Sequence, residues 1–237
     1  MLLKTSGLVI REKVLSNDNR MLTILTGEYG VIKAFIRTSR KMRSSLAAAI
    51  DLFSYSDFLI FFNKDQYCVD GAETNRIFYH LREDLEKTSL AAYMGELAET
   101  LVPQGEPAQE YLSLMLNCLH LLETDQRTVD FIKPLFELRL LTMAGYMPDL
   151  VGCTCCGQYQ AEQFYFSHYT GKLLCANCCE QEKPQGYVPL TKDQLAAMRH
   201  IVFAQGNRVF RFKMSDAGLY NLGILTEVYL NTHLDKR

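Results

Sequence analysis

Long apolar runs are missing from this chain, and their absence removes the membrane-spanning readings first. No window approaches the roughly eighteen uninterrupted apolar residues of a spanning helix. The densest, Phe58-Leu59-Ile60-Phe61-Phe62, has the length of a strand. The opening Met1-Leu2-Leu3-Lys4-Thr5-Ser6 has no charged segment followed by an apolar one, so no signal peptide is expected. Catalytic signatures are missing too. No Gly-x-Gly-x-x-Gly occurs, and Thr170-Gly171-Lys172-Leu173 lacks the spaced first glycine and the hydroxyl of a phosphate loop. Neither His-Glu-x-x-His nor Gly-x-Ser-x-Gly is present. The five histidines are scattered, and His120 and His233 sit on helical stripes where packing explains them. These gaps point away from an enzyme.

What is there begins with charge. The net charge of −2 hides an asymmetry along the 237 residues. Residues 1–50 hold nine Lys/Arg against three Asp/Glu; residues 51–150 hold seven against seventeen; residues 151–237 hold nine against seven. A basic first module beside an acidic middle suggests a polyanion contact at one end. The acidic middle reads as the solvated face of helices. At 48% hydrophobic and 22% charged, the chain has enough apolar material for one large domain or two smaller ones.

Cysteine carries the sharpest signal. Cys153-x2-Cys156 is followed, after eighteen residues, by Cys175-x2-Cys178. That spacing is the one used by four-cysteine zinc sites, where each pair sits on a tight turn and the two pairs close a tetrahedron. The intervening segment carries Phe164-Tyr165-Phe166 and a Thr170-Gly171 turn, which suits a short hairpin. A redox Cys-x2-Cys usually follows a strand and opens a helix, whereas Pro148 and Gly152 here precede a loop. Disulfides need an oxidising compartment, of which there is no sign. A shifted register through Cys155 or Cys179 stays open beside the outer pairing, which keeps two residues between ligands on both sides. Four protein sulfurs leave no open coordination position, so one structural zinc ion is expected. Eight cysteines used this way indicate a reducing cytoplasm, and Cys68 and Cys118, in apolar stretches, read as buried small hydrophobes.

The first eighty residues read as strands: a long run to Val14, then Arg20 to Thr26, Val31 to Arg37, Leu52 to Ile60 and Gln66 to Asp70, with a turn at Gly27-Glu28-Tyr29-Gly30. Five strands with a long first one fit a closed Greek-key barrel of OB type, with an SH3-like barrel as the alternative. After Phe78 the period becomes helical. Leu90, Tyr93, Met94, Leu97 and Leu101 mark one helix, stopped by Pro103, and Tyr111 to Leu122 mark the next. A third starts near Asp130 as N-cap, with Pro134 in its first turn, and ends toward Gly145 and Pro148. Thr191-x-x-Gln194 is a capping box, and Ser215 caps a last helix. The chain therefore reads as an α+β protein of two domains. An OB-type barrel spans 1–80, and a helical domain at 81–237 carries an inserted zinc ribbon at about 150–182.

Two segments combine cations with other recognition chemistry. Arg37, Arg40, Lys41 and Arg43 put four cations in seven residues at the end of the third strand, where a mobile loop can follow a phosphate backbone. Arg11, Lys13, Arg20 and Lys33 lie on strands able to line the same side, and Tyr29, Phe35 and Tyr55 are available to stack bases or to fill the core. Arg208-Val209-Phe210-Arg211-Phe212-Lys213 interleaves basic and apolar residues. It suits DNA or an acidic peptide tail with an aromatic anchor, or else a surface turn with Phe210 and Phe212 packed inward.

The order of these parts resembles the bacterial recombination mediator RecO family. The resemblance rests on Thr5-Ser6-Gly7-Leu8-Val9-Ile10-Arg11, on Arg20 to Gly30, on the basic Arg37 to Arg43 run, and on Phe136 to Pro148 leading into Cys153-x2-Cys156. It covers essentially the whole chain. It implies an OB-type N-terminal domain and a helical C-terminal domain with the zinc module. It further implies a non-enzymatic protein that binds single- and double-stranded DNA and anneals complementary strands. The implied partners are RecR and the tail of single-strand-binding protein, with help in loading RecA, at a cytoplasmic, nucleoid-associated location. Two other classes share features of this reading. A zinc-ribbon RNA-binding or transcription accessory protein would prefer RNA in competition binding, and a metal-independent nuclease would degrade labelled DNA.

Overall fold

The computed structural model describes residues 2–15, 19–36, 44–63, 66–182 and 184–234. The first third is a closed barrel of β1 (Leu2–Val14), β2 (Arg20–Thr26), β3 (Gly30–Ile36), β4 (Ser54–Asn63) and β5 (Gln66–Ile77), with a short helix α1 (Ser44–Ala49) between β3 and β4. The strands follow the order β1-β2-β3-β5-β4, and β4 returns to β1. All neighbours are antiparallel except β3 and β5, which run parallel. That closure is the OB arrangement.

The long β1 serves two partners. Leu2 to Leu8 pair with β4, while Gly7 to Val14 pair with β2 across a bulge between Val9 and Arg11. A bulge bends a strand and sharpens its twist, which lets one strand close both sides of a small barrel. The interior is filled by alternating residues, including Leu3, Val9, Leu22, Ile24, Ile32, Ala34, Phe58 and Ile60. Ile50, just after α1, joins this core. The hydroxyls of Ser54 and Ser56 donate to the carbonyls of Ala48 and Ala49, each over 2.8 Å, and hold α1 against β4.

Cys68 departs from the expected burial. It pairs with Phe61 on the outer face and is exposed, whereas Val69 next to it points inward. The apolar stretch around Cys68 conceals the strand's two-residue alternation. Cys118 is buried.

Two helices belong to the same compact unit, which spans Met1–Val129. α2 (Leu85–Leu101) starts at Asp84, whose carboxylate accepts from the backbone N–H groups of Glu86 and Lys87. It crosses β1 closely at Gly95, where an added Cβ would lie 2.9 Å from the Ile10 carbonyl oxygen. α3 (Gln109–Glu123) follows. The connection between them is tied to the β2–β3 turn. Val31 N–H donates to Pro103 O, Gly105 N–H to Tyr29 O and Ala108 N–H to Gly27 O. Gly30 sits at φ +62°, and a Cβ there would fall 1.9 Å from the Pro103 oxygen. The sequence changes period near residue 80, but packing divides the chain after Val129, because this turn grips the α2–α3 connection.

The second unit, Asp130–Arg237, contains α4 (Val129–Met143, one residue before the division), β6 (Asp149–Cys153), β7 (Phe164–Ser167), β8 (Lys172–Cys175), α5 (Ala176–Glu182), β9 (Tyr187–Leu190), α6 (Lys192–Phe203) and α7 (Asp216–Leu234). Asp130 is already helical rather than the cap of α4, and Pro134 lies inside the helix, past the first turn. There it removes a backbone donor, and its ring is buried instead. The end of α4 follows the glycine signal: Gly145 N–H donates to Thr142 O and Tyr146 N–H to Leu141 O. α6 opens on the full reciprocal capping box of Thr191 and Gln194. Ser215 caps α7, its hydroxyl accepting from Gly218 N–H at 3.2 Å. Glu137 on α4 is fully buried, accepting from the Thr226 hydroxyl and from Lys133, which also binds Glu227. Among the described residues, no helix is long and apolar enough to cross a membrane.

Candidate metal centre and nucleic-acid interface

The four-stranded sheet β6-β8-β7-β9 brings the cysteine pairs together. Cys153 ends β6, and the chain turns back at once: Gly157 N–H donates to Cys153 O and Cys153 N–H to Gln158 O, both at 2.8 Å. β7 and β8 form the expected hairpin, with Phe164 opposite Cys175. Cys175 ends β8, and Cys178 follows in the first turn of α5.

The Sγ atoms of Cys153, Cys156, Cys175 and Cys178 all lie within 4.8 Å of one another. A tetrahedral centre with metal–sulfur bonds of about 2.3 Å places its sulfurs about 3.8 Å apart. Cys156 Sγ and Cys175 Sγ are 3.8 Å apart. The donor set therefore has the dimensions of a four-thiolate metal site, and its chemistry agrees. Burial alone would raise the Cys153 pKa, but backbone N–H groups of Cys156, Cys175 and Cys155 outweigh it and bring the thiol down to about 6. Cys178 is pushed upward by hydrogen bonding with Cys175 first and by burial second. Four thiols this close repel one another when ionised, and a divalent cation at the centre would favour the thiolate form of each. Cys155 and Cys179 fall outside the set of four.

On the barrel, β1, β2 and β3 align Arg11, Thr23 and Lys33 in one row. Arg11 and Lys33 are exposed, yet both bind the same carboxylate on α2: Glu99 takes Lys33 Nζ at 2.8 Å and Arg11 Nη1 at 3.2 Å. Burial would raise the Glu99 pKa, but the hydrogen bonds and charges of Lys33 and Arg11 prevail and hold it below the ordinary value. Arg20 is likewise paired, with Glu12 at 2.6 Å. Tyr29, Phe35 and Tyr55 are half-buried. Arg37, Arg40, Lys41 and Arg43 lie outside the described residues. The partners Glu99 and Glu12 carried no sequence signal, since they read as ordinary members of solvated faces.

In the second unit Arg208, Arg211 and Lys213 are exposed around a 3-10 turn at Gly206–Phe210. Phe210 and Phe212 are each only 8% exposed, and Phe212 stacks on Phe131 with ring centroids 4.5 Å apart. Both rings are packed inward, so neither lines an open pocket for a partner's aromatic anchor.

A closed OB-type barrel with helices packed on it, and a second, largely helical unit carrying four converging thiols, define a two-part class of barrel-and-helix proteins with a candidate metal centre. The family model described as the recombination protein O N-terminal part matches residues 1–78, and that for the C-terminal part matches residues 82–237. The chain is 33% identical over 234 residues to the DNA repair protein RecO of Acetivibrio thermocellus, covering 99% of this chain and 92% of that one. It is 31% identical over 236 residues to the DNA repair protein RecO of Alkaliphilus metalliredigens, covering 100% and 95%. The chain belongs to the recombination protein O family, a family of DNA repair and recombination.

Proposed function

We propose that this protein is a recombination mediator that binds single- and double-stranded DNA and anneals complementary strands without covalent catalysis. Together with RecR it would help load RecA onto DNA coated by single-strand-binding protein. The observation that carries the reading is the match of both family models across nearly the whole chain, on a barrel whose topology is of OB type. OB barrels track single strands with cationic grooves and stacking aromatic rings.

In this reading residues 1–80 form the DNA-binding module. The cations Arg37, Arg40, Lys41 and Arg43 follow the phosphates, joined by Arg11, Arg20 and Lys33 when phosphate displaces Glu99 and Glu12. Cys153, Cys156, Cys175 and Cys178 hold one structural zinc ion, which when bound would fix β6, the β7–β8 hairpin and α5 to one another. Arg208, Arg211 and Lys213 supply cationic contacts to the acidic tail of single-strand-binding protein, with the apolar contact coming from elsewhere than Phe210 and Phe212.

The decisive experiment is annealing of complementary strands pre-coated with single-strand-binding protein. The purified chain should accelerate annealing well above the spontaneous rate and leave labelled strands intact. Failure to anneal coated strands while binding bare DNA would overturn the mediator role. A strong preference for RNA in competition would move the protein to the accessory-factor class.

A further inference from the structure

One row of outward side chains crosses all five strands of the barrel. The pairings Lys13–Met21, Met21–Phe35, Phe35–Cys68, Cys68–Phe61 and Phe61–Leu2 lead from the end of β1 through β2, β3, β5 and β4 back to its start. The chain neighbours Leu22, Ala34, Val69, Ile60 and Leu3 belong to the barrel core, so alternation turns the row outward. Leu2 and Phe61 are each 49% exposed and Cys68 is exposed, while Met21 and Phe35 are half-buried. An exposed apolar side chain standing alone is ordinary. Five in register form a continuous uncharged track, and such a patch marks an interaction surface. With strands ~4.8 Å apart, the four steps from Met21 to Leu2 span about 19 Å. The charges beside the track are sorted. Lys13 ends it, and Arg20, bridged to Glu12, adjoins Met21 at the strand ends where Arg37 follows Ile36 in sequence. In the other direction the exposed carboxylates Asp57 and Glu73 pair across β4 and β5. They lie four residues from Phe61 along β4, about 13 Å at ~3.3 Å per residue. Exposed Asp70 stands between, two residues past Cys68.

Resting on the DNA-binding reading above, we propose that this row is a base track by which the protein tells single strands from duplex. A single strand lies across the strands of the barrel with its bases against Phe35, Cys68 and Phe61. Its phosphates run on the side of Lys13 and Arg20, away from Asp70, Asp57 and Glu73. An apolar strip with cations along one side suits a ligand that is itself a row of flat rings on an anionic backbone. Aromatic rings stack on any base, so the track needs no sequence. At the ~3.4 Å rise of stacked nucleotides it holds at most about five bases. A duplex keeps its base faces inside its own stack and meets the barrel through its phosphates. Single strands therefore use the track and the cations, and duplexes the cations alone.

The test titrates the full chain with labelled oligothymidylate of about 15 nucleotides, within the ~4–16 that one OB barrel covers, and with a duplex of equal length. Phe61→Ala should lower single-strand affinity about tenfold and leave duplex affinity unchanged. Its salt slope should stay that of the unmodified chain, because no phosphate contact is lost. Phe61→Trp should retain single-strand affinity, and thermal unfolding of both variants should match the unmodified chain, since Phe61 is half exposed. A second readout needs no variant: oligothymidylate should slow maleimide alkylation of Cys68, followed by peptide mapping, and duplex should not. Unchanged single-strand affinity in Phe61→Ala, with DNA still bound, overturns the track and leaves the DNA-binding reading standing. Equal loss for single strand and duplex overturns it as well. Slow alkylation of Cys68 in the free chain means that a second copy or the chain itself covers the row, which also overturns it. Failure of the unmodified chain to bind either DNA is the failure of the DNA-binding reading, and the track falls with it.

Discussion

Lys33 Nζ lies 2.8 Å from Glu99 Oε1, so a cation on the outer face of the barrel is held by a carboxylate of the helix packed upon it. Arg11 reaches the same carboxylate, which leaves one anion serving two of the residues proposed to meet DNA. Replacing Glu99 by Gln should therefore free both cations. Affinity for single-stranded DNA should rise at low salt, and the salt dependence should steepen by about 0.7 for each additional phosphate neutralised, or about 1.4 for the pair. An unchanged slope would remove Arg11 and Lys33 from the interface.

The same bridge sets a pH dependence. The Glu99 pKa is lower in the folded protein than its ordinary value, because Lys33 and Arg11 outweigh its burial. Its contribution to stability is thus present above the ordinary carboxylate pKa and is lost as pH falls through the lowered one. Thermal unfolding of the unmodified chain and of Glu99→Gln should differ near neutrality and converge as the solution is acidified below that range. A gap that persists in acid would mean that Glu99 acts through packing.

Replacing Arg37, Arg40, Lys41 and Arg43 together by Ala should weaken DNA binding and leave folding intact. With four fewer phosphates neutralised, the salt slope on single strands should become shallower by up to about 3. If circular dichroism and slope are both unchanged, the cluster is a solvated loop.

Zinc should co-purify at about one ion per chain, as a closed four-sulfur site requires. Chelation should destabilise the second unit and spare the barrel. In small isolated zinc peptides the metal contributes ~10–16 kcal/mol, and a unit with its own helical core should lose less. Hydrogen exchange localises the effect, and protection lost equally from β1 to β5 would contradict it.

Lys133→Met should cost about 3–5 kcal/mol in urea unfolding, because it strips the cation from the fully buried carboxylate of Glu137. Changing Glu137 to Leu as well should recover much of that loss, since an apolar pair avoids the desolvation penalty. A single-variant loss under about 1 kcal/mol would show that water reaches the carboxylate.

Much of this architecture is legible in the sequence because local chemistry dictates it. Arg20 to Thr26 forms β2 over those residues, and the Thr191–Gln194 box opens α6 where the sequence places it. The cysteine spacing favours the outer pairing over a register shifted to Cys155 or Cys179, and the four sulfurs that converge are those of the outer pairing. The rest depends on distance along the chain or on weak local patterns. α1 is six residues long, too short for a helical period. β5 continues past Asp70 through Gly71, Ala72, Glu73 and Asn75, residues with poor strand preference, because β4 pairs with it along its whole length. Glu99 could not be matched to Lys33 without the helix crossing that brings them together.

The grip of the β2–β3 turn on Pro103 and Gly105 has a consequence for how the protein can be dissected. A fragment ending near residue 80 would keep all five strands yet strand the hydrogen bonds that Val31, Tyr29 and Gly27 make to the α2–α3 connection. Gly30, shaped to receive the Pro103 carbonyl, would face solvent with a left-handed backbone and nothing to justify it. The barrel and its first two helices should therefore lose protection together in hydrogen exchange. A binding constant measured on the isolated strands would report the wound as much as the interface.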